Sequence, residues 1–402
     1  MLSTAFPKLS ISFMAYFALI PFIFDLHHSS HRSYKVVFFK AILFAFPFML
    51  IQHYFLISLI DFSTKSIIVS SWIAYSALLS LYWGIFALLY KKIGSQLWTI
   101  PLLWTLLEYC KALGTYGNSI GQLATTQSFI NPIAQLSWIG GPFLITFFII
   151  GINTLLTKAL LSYQSKQFNT SLNIHSYKLC ILLAMSFYVC VYCFGSIKTE
   201  LNLTDQAKIK IAIIQANHRQ KEKLNSAQTK TIQHDYITLS QQAASVFKPA
   251  ILFLPETITT QLNLENKVFI RQLQLTLKNN SSHILMGTPR YDSQKSQYFN
   301  SIVSINKNGI DNTIYDKVHL FPFGEYWPYK NATKWIGFGH FIPENDFSAA
   351  QEATLTSIVI NHSELLFGHA ICLESMYPWH LKKAVKKGAN IFFVAANHAW
   401  FL

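Results

Sequence analysis

Acidic residues are scarce in this chain of 402 residues. Only 18 Asp and Glu stand against 32 Lys and Arg, and charged residues make up 12% of the chain while hydrophobic residues make up 51%. So little charge cannot cover a water-facing surface of this size, which excludes an ordinary soluble protein. The shortage is uneven. Residues 1–197 hold only Asp25, Asp61 and Glu108 as acids against eleven Lys and Arg, whereas residues 198–402 hold fifteen acids against twenty-one. The fold class that follows is a multi-span α-helical membrane domain over 1–197, with about six helices, and an α/β domain over 198–402. Basic runs with interleaved aromatics are missing too, so the net charge of +14 points to anionic headgroups as the neighbour and not to nucleic acid. Internal repeats and low-complexity linkers are also absent.

Cysteine is the next shortage, with five in the chain. That number at these positions excludes a disulfide framework. Cys110, Cys180, Cys190 and Cys193 fall in apolar stretches and read as small buried hydrophobes. Cys190 and Cys193 are three residues apart, but no third ligand completes a metal site. His27, His28 and His31 have no partner acids, so no metal is expected there either. Cys372 is the only thiol of the polar half and is a candidate nucleophile.

What is present in the first half is long hydrophobic runs. Six of them, at 9–24, 36–60, 67–90, 97–113, 130–157 and 177–197, approach the roughly 20 residues that cross a bilayer core. If all six cross, Arg32, Lys35, Lys91, Lys92, Lys158, Lys166 and Lys178 share one side, and Lys8, Lys65 and Lys111 are left on the other. The positive-inside rule then places the N-terminus and the polar half outside the cytoplasm. The first run lacks a small-residue cleavage site and reads as an uncleaved span. Glu108, with Lys111 one turn on, reads as an interfacial ion pair.

The polar half alternates between strand and helix signals. Residues 209–216 and 250–254 are continuous apolar runs, as in sheets covered on both faces. Helical patterns are expected at about 224–247, 262–279 and 379–387. Further strands are expected at 283–288, 301–305, 354–360, 364–371 and 391–396, with Lys307-Asn308-Gly309 as a turn. Three residues stand out on this outline. Glu256 follows a buried strand through Pro255, so its carboxylate emerges at the strand's carboxyl end, where open α/β sheets keep their sites. Cys372 lies between a strand and a helix, a turn that can aim backbone N–H groups at an oxyanion. Lys317 lies in a polar loop leading into Phe321-Pro322-Phe323-Gly324-Glu325. A carboxylate, an ammonium and a thiol are a complete kit for acyl transfer through a thioester.

The order Glu, Lys, Cys in an α/β chain resembles the nitrilase or carbon–nitrogen hydrolase superfamily. KVHLFPFGEYWP followed by ICLES is similar to its membrane branch, the apolipoprotein N-acyltransferases, and Trp104 to Asn153 resembles that family's membrane segment. The resemblance implies an αββα sandwich as the second domain. It also implies a two-step reaction with Glu256 as base, Cys372 as nucleophile, and Lys317 with the backbone N–H after Cys372 as oxyanion donors. Glu325 would support the site and Glu374 would lie close to the nucleophile. No cofactor is implied. The implied partners are a phospholipid acyl donor, a diacylglyceryl apolipoprotein acceptor and membrane lipids, served by a monomer in the bacterial inner membrane with its catalytic domain on the periplasmic side.

The chain also departs from the family pattern. Leu373 stands where the family has tyrosine, and Asn397-His398-Ala399-Trp400-Phe401-Leu402 where it has Asn-Asp-Ala-Trp-Phe-Gly. Relative to the family the chain is expected to be shortened at both ends. The alternatives are therefore an inactive shortened relative and a membrane-tethered, amidase-like hydrolase. A pair of Cys372 with His369 or His398 is a minor mechanistic alternative.

Overall fold

The structure is a computed structural model and describes residues 1–114, 117–167, 176–201, 208–277, 283–330 and 346–401. It forms two compact units, Met1–Gln206 and Ala207–Leu402.

The first unit is helical, with α1 (Ile20–His28), α2 (Tyr34–Gln52), α3 (Lys65–Lys92), α4 (Ile100–Ala112), α5 (Asn131–Ala134), α6 (Ser137–Gln167) and α7 (Ser176–Leu201). Among the described residues, four helices are long and apolar enough to cross a membrane: Tyr34–Gln52, Lys65–Lys92, Ser137–Ser165 and Tyr177–Thr199. The outward side of α7 is apolar as well, with Leu179, Leu182, Leu183, Met185 and Val189 exposed. A helix hydrophobic on every side needs lipid around it, and this is a membrane protein.

Two of the six expected spans fall short of that length. The 9–24 run forms a 3₁₀ turn at Ser12–Tyr16 and then α1, whose nine residues rise only about 14 Å. The 97–113 run yields α4, thirteen residues or about 20 Å, started by Pro101 near its N-terminus and ended before Gly114. α6 is broken at Gly140-Gly141, where Gly141 has φ +63° just before Pro142. Three cysteines depart from expectation: Cys110, Cys190 and Cys193 are exposed on their helices and only Cys180 is buried.

Glu108 and Lys111 face the interior of the helical unit. Both side chains are buried, and the Glu108 carboxylate accepts from Trp104 Nε1 (3.3 Å), the Leu123 amide (3.2 Å) and Thr146 Oγ1 (2.7 Å), while Lys111 Nζ donates to the Ile120 carbonyl (3.3 Å). Irregular backbone inside an apolar bundle has no water to bond, and this pair supplies the missing partners.

The second unit carries two sheets. The first has five strands in the order β1 (Ile211–Ile213), β2 (Ile251–Leu254), β3 (His283–Asp292), β4 (Gln297–Asn306) and β5 (Gly309–Asp316), with β1, β2 and β3 parallel and β3, β4 and β5 antiparallel. The second is β6 (Thr356–Ile360), β7 (Ser363–Ile371) and β8 (Ile391–Ala395), with β6 antiparallel and β8 parallel to β7. The helices are α8 (Gln220–Leu224), α9 (Thr229–Phe247), α10 (Lys267–Leu277) and α11 (Pro378–Lys386).

The period of two along a strand sorts its side chains between two cores. Ile251 and Phe253 of β2 pack with Leu285, Ile302 and Tyr315 against Ile358, Phe367, Ile371 and Phe393 of the other sheet. Leu252 and Leu254 point the opposite way, with Ile284, Met286 and Val303, against Ile237 of α9 and Phe269 and Leu273 of α10. α11 covers the far face of the second sheet, where Ala384 lies against Gly368. This is an αββα sandwich of the nitrilase-like class. The expected strands and helices are present, β5 and α8 are additional, and β1, expected to be covered on both faces, leaves Ile211 and Ile213 exposed at the edge of its sheet. The β5 sequence, GIDNTIYD, has no clean alternation because only Tyr315 is fully buried, and its pairing with β4 makes it a strand.

Candidate active site

Glu256 sits two residues past the end of β2. Its loop presses on β3: a Cβ at Gly287 would lie 2.6 Å from Glu256 Cα and 2.6 Å from the Pro255 carbonyl oxygen. Only glycine allows this approach. Gly287→Ala is expected to cost about 1–3 kcal/mol by forcing the strand and loop apart. Thermal melting of the full chain would show the loss, together with reduced reactivity at Cys372.

The Glu256 carboxylate is 8% exposed and held at both oxygens. Asn300 Nδ2 of β4 donates to Oε1 at 2.9 Å, and the backbone N–H of Asn397, beyond β8, donates to Oε2 at 3.0 Å. Asn300 Nδ2 also donates to Glu325 Oε1 at 2.7 Å, so one amide fixes two carboxylates. Glu325 Oε2 accepts the Phe321 amide at 2.7 Å, which shapes the Pro322-Phe323-Gly324 bend.

Lys317, just past β5, is 1% exposed. Its Nζ lies 2.8 Å from Glu325 Oε2 and 4.0 Å from Glu256 Oε1. Burial alone would strip its proton, but Glu325 and then Glu256 outweigh that and hold the ammonium above its ordinary range. Glu256 is raised as well, toward its neutral form. Burial favours its neutral form, and Lys317 opposes this without cancelling it, so its pKa is raised.

Cys372 follows β7 at the first position of a short 3₁₀ turn, with φ +53°, a backbone state that L-residues rarely adopt. Strain of this kind collects where a side chain must be aimed. Burial first, and then the Glu256 charge, push the thiol up to about 11, with Lys317 and the Leu373 N–H pulling the other way. The thiolate is therefore almost unpopulated at neutral pH without a proton acceptor. Glu256, Lys317 and Cys372 come together, with Glu325 as the counter-ion of the lysine.

Glu374 behaves differently from the others. Fully buried, it accepts from the Val318 and His319 amides (2.8 and 2.9 Å), the Tyr315 hydroxyl (2.6 Å) and the Ile371 amide (2.8 Å). It ties the lysine loop to the cysteine turn. His369 is in the core between the sheets, bonded through Nε2 to Thr356 Oγ1 (2.8 Å), and burial holds it down to about 3. That leaves it facing the rings of Tyr315 and Phe393. His398 is exposed.

Sequence reading passed over Asn300, Asn397, Gly287 and Tyr315. Asn300 left one signal, a polar residue inside the apolar run of β4. Asn397 acts through its backbone, which no side-chain pattern can reveal.

Residues 210–402, which hold Glu256, Lys317 and Cys372, match the family described as Carbon-nitrogen hydrolase. Residues 1–155 match the Apolipoprotein N-acyltransferase N-terminal domain. The chain thus carries, in that order, an apolipoprotein N-acyltransferase N-terminal domain and a carbon–nitrogen hydrolase domain. Curated relatives of that name include one from Pasteurella multocida, 25% identical over 86% of this chain and 66% of its own length. Another from Allorhizobium ampelinum is 28% identical over 52% and 40%. Apolipoprotein N-acyltransferase 1 of Treponema denticola is 24% identical over 96% and 74%. The chain thus spans less than two thirds of the first two relatives. Among solved structures, Nit3 of Saccharomyces cerevisiae, a nitrilase superfamily member, aligns over 48% of this chain and 67% of its own, with 16% identity and a TM-score of 0.33.

Proposed function

We propose that this protein transfers a fatty acyl group from a phospholipid, through a thioester on Cys372, to the free α-amine of a diacylglyceryl-cysteine at the N-terminus of a lipoprotein. Glu256 takes the thiol proton as sulfur attacks the ester carbonyl. Lys317 and the Leu373 N–H stabilise the oxyanion, and the lysophospholipid alcohol leaves with the proton from Glu256. In the second half-reaction the amine attacks the thioester, Glu256 accepts its proton, and the thiol is restored. The reaction needs no metal or organic cofactor.

One observation carries this reading: the raised Glu256 carboxylate and the raised Cys372 thiol lie beside a lysine held firmly as ammonium. A base with a raised pKa can both accept and return a proton near neutrality, which is what two successive tetrahedral intermediates demand. The four helices long and apolar enough to cross a membrane support a membrane-borne donor. In the bacterial inner membrane the site would open on the periplasmic side.

The test is intact-protein mass spectrometry of the full chain after incubation with phosphatidylethanolamine. The expected product is a single hydroxylamine-labile acyl adduct that maps to Cys372 and is discharged by an amine-bearing diacylglyceryl peptide. Discharge by water at the same rate as by the peptide would make it a hydrolase. Absence of any adduct in folded, lipid-exposed protein would reject the thioester route.

A further inference from the structure

α8 presents two buried polar side chains three residues apart, hence on one face: Gln220 and Lys223, 3% and 4% exposed. Both reach toward Glu256. Gln220 Oε1 accepts from Asn397 Nδ2 at 2.9 Å, and the amide of the same Asn397 donates to Glu256 Oε2. Lys223 Nζ donates to the carbonyl of Thr257 at 3.3 Å, one residue past Glu256, where the backbone is left-handed at φ +47°. Thr260 Oγ1 returns a bond to the Lys223 carbonyl at 3.0 Å. Among the described residues no carboxylate lies within 4 Å of Lys223, so it is not half of a structural ion pair.

The charges around Glu256 do not balance without it. With Glu256 ionised, as a proton acceptor must be, Glu256 and Glu325 are two anions, Lys317 is one cation, and Cys372 is neutral before reaction; Asn300 and Asn397 carry no charge. Glu374 is met by four donors of its own. A buried site one charge short of neutral resists any further negative charge on sulfur.

We propose that Lys223 is the second cation of this site, a positioning residue that balances Glu256 and Glu325 together with Lys317. The thiol proton then passes to Glu256 within a buried set of zero net charge. The inference rests on the reading of Glu256 as the base and adds the group that sets its working pH. Burial holds the Lys223 amine down to about 8, with the Glu256 charge opposing the fall. The balance therefore holds at neutral pH and fails as pH rises through that value.

The test is the pH dependence of iodoacetamide alkylation at Cys372, followed by peptide mass spectrometry on the full chain, with thermal melting as the folding control. In Lys223→Met both Glu256 and the thiol hold their protons more tightly. The acid limb of the profile is expected to move up by about one pH unit, and alkylation at pH 7 to fall about tenfold. Lys223→Arg, which keeps the charge, should restore the wild-type limb. If the methionine variant does not fold, Lys223→Gln carries the same expectation.

A Lys223→Met profile that superimposes on wild type, or that falls equally at every pH, overturns the proposal, since a merely structural lysine would give no shift. Glu256→Gln separates the two readings. If it leaves the limb unchanged, Glu256 is not the base and the parent reading falls together with this one. If it removes the limb while Lys223→Met leaves it in place, only the role of Lys223 falls.

Discussion

Cys372→Ala is expected to abolish the acyl adduct and all transfer to an amine, a loss on the order of 10⁴-fold or more, as for other catalytic nucleophiles. Acyl groups on Cys110, Cys190 or Cys193, which are exposed on their helices, would come from uncatalysed exchange and would survive in the variant. The two sources therefore separate by peptide mapping. Stability should change little. The thiol is pushed up to about 11 and carries no charge at neutral pH, so alanine removes one half-buried neutral atom at a position whose strained φ belongs to the turn. An adduct that persists at the 372 peptide's neighbours, or transfer that continues, would reject Cys372 as the acyl carrier.

Glu256→Gln is expected to slow acylation of Cys372 by about 10²–10⁴-fold, the usual contribution of a positioned acid–base group. In the wild type the rate should fall as pH drops below the raised pKa of Glu256, because the protonated acid cannot accept the thiol proton. The variant should lose that limb. Stability should move in the opposite sense to activity. Since the folded-state pKa is raised above the unfolded value, the folded chain binds this proton more tightly. That contribution to stability is complete at low pH and is lost as pH rises through the folded pKa. Ionised Glu256 is thus a cost at neutral pH. Glutamine removes that cost but turns its NH2 toward a donor, Asn300 Nδ2 or the Asn397 N–H, while Lys317 keeps Glu325 at 2.8 Å. Melting should therefore show a variant less stable than wild type by about 1–3 kcal/mol. Retention of wild-type acylation by Glu256→Gln would show that another group takes the proton.

Much of this site could be read in the sequence because its chemistry is carried by rare residues in distinctive places. Cys372 is the one thiol of the polar half, Glu256 follows an apolar strand through proline, and the segment from Lys317 to Glu325 is too irregular to be a surface loop without purpose. Glu374 was equally visible, but its role was not. Spacing put it two residues from the nucleophile, whereas its carboxylate is bonded to Tyr315, Val318, His319 and Ile371. Glu108 and Lys111 likewise stood out as charges in an apolar half, but the groups they bond did not. The structure buries them because the irregular backbone near Ile120 and Leu123 needs partners inside the bundle.

Composition and period by themselves determined that this chain has a membrane half and an α/β half, and that β2 is buried on both faces. Those features are local, since hydrophobic burial writes itself into runs and alternations. Tertiary structure alone decided that Asn300 holds both carboxylates, that the amide of Asn397 completes the cradle of Glu256, that Gly287 must lack a side chain, and that Lys223 reaches the carbonyl next to Glu256. Each of these depends on atoms brought together from distant parts of the chain. Hydrogen bonds and buried charges act over a few ångströms in space, and separation along the sequence carries no record of that distance.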